Sequence, residues 1–175
     1  MKPFRISIII GFLALVSSLE AGSTPEGDQH AASLTKSLNQ VVSASALVEQ
    51  GIKDSKPSEE ILHALSVFAD VWDELCARYT QFLVWADLYN REKPGSAAAQ
   101  FSAPGLVQIR KFISDYQEFT KSFGFLAPQY DTAMIQYERD DARITQEKNR
   151  VFSSMHTMEA VLNKAGVQWT KKNGG

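Results

Sequence analysis

Between Leu65 and Tyr89 the apolar residues Leu65, Phe68, Trp72, Leu75, Tyr79, Phe82, Ala86 and Tyr89 recur at alternating steps of three and four, with no polar interruption. Only a helix brings residues at those steps onto one face, so this stretch cannot be a strand and its stripe must be covered by other elements. Leu62, Ala69, Cys76 and Leu83 widen the stripe on one flank and Val71 and Trp85 on the other. A stripe that broad touches more than one neighbour. The spacing therefore predicts a central helix over 58–91, with Trp72 and Tyr79 in the core.

The same period runs through the rest of the chain. Ala31, Leu34, Leu38, Val41, Val48 and Ile52 mark a first helix over 28–53, with Ser45 in the one vacant seam place and Thr24, Pro25 and Asp28 supplying its start. Pro57 ends the connection and opens the second helix. Lys93, Pro94 and Gly95 stop that helix, and Ser102 with Pro104 restarts a third, carrying Leu106, Ile109, Phe112, Ile113, Tyr116, Phe119 and Phe123 up to Gly124. After a corner at 125–128, a fourth helix is expected to run unbroken over 128–165. Its seam is Tyr130, Met134, Tyr137, Ile144, Val151, Met155, Met158 and Leu162, with Asp141 and Lys148 in two seam places and Gly166 as its stop. Those two polar residues either pair and set register, or stand in water because helix four outruns helix three.

Ahead of the helices, Lys2 and Arg5 precede an apolar stretch from Ile6 to Val16 and then Ser17 and Ser18. That order of basic, apolar and small residues is a secretory signal peptide, cut after Ser18 or Ala21. The apolar stretch is about 11 residues, against roughly 20 for a membrane-spanning helix, so export is favoured over an uncleaved anchor. The expected layout is a signal peptide over 1–21, a linker over 22–27, a helical domain over 28–166 and a flexible tail over 167–175. The fold class is all-α: an elongated antiparallel bundle of three to four long amphipathic helices, sequential helices lying side by side through their short corners.

Without its first 21 residues the chain keeps 16 basic and 19 acidic residues, which lacks the basic footprint of nucleic-acid binding. Cys76 is the only cysteine, so no internal disulfide or cysteine-based metal spacing exists. Glu60 with His63 has the three-residue spacing of di-iron bundles, but the second pair, His156 and Glu159, comes in reverse order near the other end of the body. Met134, Met155 and Met158 could ligate haem, yet they sit on the packing seam. No phosphate loop, nucleophile elbow or metalloprotease helix is present. The expectation is a non-enzyme without catalytic residues, metal or cofactor.

One local excess remains, from Phe82 to Tyr89, where every helix face except that of Asp87 is apolar. Either Phe101 and the irregular linker fold over it, or Val84, Trp85 and Leu88 form a partner-binding patch. The leading functional expectation is thus an exported interaction, scaffold or accessory module with a protein partner, in a cell envelope or secreted space, with self-association through helix seams open. A lipid-binding or lipid-shaping protein is the alternative, with Lys111, Lys121, Arg139, Arg143, Lys148 and Arg150 as its basic candidates. A small-ligand or haem carrier is the third.

Overall fold

The computed structural model describes residues 24–123 and 130–173, with side chains to residue 162. The signal segment and the corner at 124–128 lie outside the described residues. Five α-helices make up the body: α1 Glu26–Lys53, α2 Ser58–Glu92, α3 Ala103–Lys121, α4 Asp131–Asp140 and α5 Ala142–Asn173. A 3-10 turn at Ala98–Gln100 interrupts the α2–α3 linker, and there is no strand among the described residues.

Helices α1 and α2 form an antiparallel hairpin closed by their expected seams. Ala31, Leu34, Leu38, Val41, Val48 and Ile52 are all buried, and Ser45 is buried in the vacant place. From α2, Phe68, Trp72 and Leu75 are completely buried and Tyr79 is 3% exposed, as their spacing predicts. Small residues let the pair approach closely: a Cβ added at Gly51 would come within 2.8 Å of the Ile61 side chain.

Helices α3 and α4 climb α1 in its own direction. Gln108 meets Thr35 (3.4 Å), the Tyr130 hydroxyl donates to Glu49 (2.8 Å), and the Tyr137 hydroxyl donates to the Lys56 carbonyl (2.9 Å). The α2 and α3 backbones stay apart, and large rings span the space between them. Trp72 lies 5.7 Å from Phe119 and 6.4 Å from Tyr116, and Tyr79 lies 6.0 Å from Phe112, centroid to centroid. Such pairs contribute roughly 0.5–1.5 kcal/mol each beyond the area they bury.

The expected single helix over 128–165 is corrected to two helices meeting at Asp141. That residue takes an extended conformation (φ −146°, ψ 110°), and its carboxylate accepts the Arg143 backbone N–H at 2.9 Å. It therefore caps the start of α5, the role for which a short carboxylate competes with helical backbone bonding. The chain reverses here, so the antiparallel step falls at Asp141 and not between α3 and α4. Lys148 pairs with Glu138 across the corner, which accounts for the second polar seam residue.

From the corner α5 descends parallel to α2, burying Ile144, Val151 and Met158. Arg150 bonds Asp70 (2.7 Å) and Asp73 (2.5 Å), and Ser154 bonds Asp73 (2.5 Å). The α5 backbone carries through Gly166 to Asn173; glycine inside a helix costs only about 1 kcal/mol and need not end it. No described helix is long and apolar enough to cross a membrane.

Candidate functional site

The end of the bundle where α1 begins and α2 finishes, here called its base, gathers the residues of the Phe82–Tyr89 segment. Helical phase splits them. Trp85 points inward and is 8% exposed, with its ring 4.7 Å from His30, 5.2 Å from Tyr89, 5.7 Å from Phe101 and 5.9 Å from Phe82. Of the two alternatives for Trp85, the first describes it: Phe101 and the linker fold over the ring, and Trp85 leaves the candidate patch. Val84 and Leu88, four residues apart on another face, remain 56% and 57% exposed. Beside them Arg91 and Asp87 form an exposed ion pair (2.6 Å).

Why that face is open follows from the path of α5. Its contacts step around α2 as it descends, from Asp70 and Asp73 at Arg150 to Asp73 and Cys76 at Ser154. At about 100° per residue, Asp70 and Cys76 lie about 120° apart around the axis. Asp70, Ala77, Val84 and Leu88 form one stripe at helical spacing. The upper end of this stripe is held by Arg150, and the lower end is left behind as α5 veers toward Cys76.

Polar bonds clamp the base around this face. Asp28 accepts both the Ser102 backbone N–H (2.9 Å) and its hydroxyl (2.5 Å), and Ser102 in turn accepts the Gly105 N–H (3.1 Å) as N-cap of α3. The Tyr89 hydroxyl donates to Glu26 at 3.0 Å. A Cβ at Gly27 would lie 2.6 Å from the Gln100 carbonyl oxygen and 2.7 Å from the Phe101 ring, and one at Gly105 would strike Asp28 at 1.7 Å. Sequence reasoning placed Asp28 in the start of its own helix. It missed the bond to Ser102 because the partners lie far apart in the chain and no local pattern marks them.

The remaining candidates are dispersed. Glu60 and His63 are exposed near the start of α2, while His156 and Glu159 are exposed well down α5, so the two pairs do not meet. No group of three His, Cys, Asp or Glu among the described residues could hold a metal ion. Met134 and Met158 are buried in the core and Met155 packs against it. The Cys76 thiol donates to the Ser154 carbonyl (3.4 Å), and burial together with nearby Asp73 pushes its pKa up to about 11. Four of the six basic candidates for a lipid-binding face are held by carboxylates: Lys111 by Asp115, Arg143 by Asp141, Lys148 by Glu138, and Arg150 by Asp70, Asp73 and Glu147.

A shallow groove of about 600 Å³ runs along the outside of the α1–α2 pair, lined by Thr35, Lys36, Ala44, Leu47, Val67 and Val71 among others. Its only charged lining residue is Lys36, so it offers no acid–base pair. Comparison with known proteins gives no matching family model, no similar curated protein and no similar solved structure.

Proposed function

We propose that this protein is a non-enzymatic, exported helical-bundle module that docks a protein partner in a cell envelope or secreted space. The observation that carries the reading is the pair Val84 and Leu88, over half exposed on one face of α2 beside the packed Trp85 cluster. Two large aliphatic side chains held in fixed geometry on a well-supported helix provide apolar area for a partner at little entropic cost. A lipid-surface role needs a face of free Lys and Arg, and the carboxylate partners of Lys111, Arg143, Lys148 and Arg150 weigh against it.

The test is a pull-down of the tagged protein from its own host, with mass measurement of the recovered chain. Loss of about 18 to 21 residues is expected from the cleavage sites a signal peptide uses. The Val84→Ser, Leu88→Ser double variant is expected to lose the captured partner while melting at nearly the wild-type temperature. An intact Met1 overturns export, and an unchanged set of partners with the double variant overturns the docking face.

A further inference from the structure

We propose that the base of the bundle is an acid-released latch whose trigger is His30. The latch is the seat of the linker and of the α3 N-cap on the first turns of α1. It is made by the Asp28–Ser102 bonds and by Gly27 lying against Gln100 and Phe101. His30 sits beside that seat, on the side of α1 that faces α2, half-buried, its imidazole 4.7 Å from the Trp85 ring and 5.9 Å from the Phe82 ring. Phe101 lies edge-on to the same indole, at 5.7 Å and an interplanar angle of 81°. The chain that closes the base and the ring that titrates therefore rest on one side chain.

Groups on α1 and α2 face His30. On α1, Glu26 is the carboxylate that draws its proton affinity upward, while Asp28 is turned away to Ser102. On α2 the neighbours are the Phe82 and Trp85 rings, with Tyr89 beyond them, its hydroxyl bonded to Glu26. From the linker, Phe101 reaches the same Trp85 ring and carries no charge. Burial among these rings outweighs Glu26 and holds the imidazole below its ordinary pKa of 6.5. The partial positive charge of the α1 N-terminus acts in the same direction.

The sign follows by linkage. A base whose proton affinity is depressed in the closed form binds fewer protons there than when released, so closing is favoured fully above pH 6.5. The advantage is lost as pH falls from 6.5 through the depressed value. An imidazolium regains its hydration by swinging off Trp85, and in doing so it draws the first turns of α1, with Gly27 and Asp28, away from the ring on which the linker still rests. The latch is distinct from what docks on Val84 and Leu88, since it concerns the buried flank of that segment, about 60° to 100° around α2 from them.

Hydrogen exchange and NMR titration of the purified protein test it. The His30 ring is expected to titrate with a midpoint below 6.5, and protection of the amides over 26–34 to fall about twofold or more between pH 7.5 and 5.0. His30→Phe keeps an aromatic ring on Trp85 and cannot take a proton, so its protection should stay flat over that range. A variant with His63→Gln and His156→Gln should keep the wild-type response. A His30 midpoint at or above 6.5 in the wild-type protein overturns the proposal, whether or not the Phe variant folds. So does an acid loss that persists in the Phe variant.

Discussion

Trp85→Ala would take away the ring on which His30, Phe82, Tyr89 and Phe101 all rest and leave a cavity among them. Large-to-small aromatic changes in such sites cost about 3–5 kcal/mol, so chemical denaturation should show a loss of that size. Val84→Ser with Leu88→Ser removes side chains that already stand in water, and should change stability by less than ~1 kcal/mol. The contrast is the sharpest available check on helical phase at the base. If the serine pair unfolds the protein, these residues are packing and not a docking face. Cys76 gives a second check at this scale. With its thiol pushed up to about 11 by burial and Asp73, little thiolate exists at pH 8. Alkylation of the folded protein should run about 100-fold slower than that of an unhindered thiol, and should recover on denaturation.

At the scale of elements the decisive residue is Asp141. Its carboxylate bonds both the Arg143 backbone N–H (2.9 Å) and the Arg143 guanidinium (2.6 Å), so it caps α5 and fixes the corner in one stroke. Asp141→Ala should cost about 1 kcal/mol, the usual loss for an N-cap, and exchange should rise first in the opening turn of α5. A neutral result would mean that the Glu138–Lys148 pair alone holds the corner. The same residue shows how far the sequence could be read. The seams of α1 and α2 were legible down to single residues, Ser45 included, because periodic burial is a local signal. The reversal at Asp141 was not legible, because Tyr130, Met134 and Tyr137 before it and Ile144, Val151 and Met158 after it keep one continuous heptad phase. A stripe says which face is buried and nothing about where the axis points. The Asp28–Ser102 and Arg150–Asp70 bonds were hidden for a related reason: each joins residues far apart in the chain, and from sequence Asp28 and Ser102 read as the starts of their own helices and Arg150 and Asp70 as solvated charge. Trp85 was left open between cover and exposure because its segment is apolar on nearly every face, and contact with Phe101 settles it.

At the scale of the whole molecule, length follows from α2. Its 35 residues span about 52 Å at 1.5 Å per residue, and α1, α3, α4 and α5 all lie along it or across its ends. A compact chain of about 154 residues, the length expected if the first 21 are removed, would have a radius of gyration of about 15 Å, by the usual scaling for globular domains. A rod about 52 Å long and about 24 Å wide, two helix diameters across, has one of about 17 Å. Small-angle X-ray scattering of the monomer is therefore expected to give a radius near the larger figure, with a distance distribution skewed to long separations. Forward scattering on an absolute scale reports mass in the same measurement and so separates an elongated monomer from a dimer. The Val84 and Leu88 face is small, and stable self-association needs roughly 1,200 Å² or more of buried surface, so this patch alone should leave the protein monomeric at micromolar concentration. A radius near 15 Å at monomer mass would mean that α5 folds more closely onto the base than its path along α2 indicates. In that case Val84 and Leu88 would be covered and the docking face lost with the elongated shape.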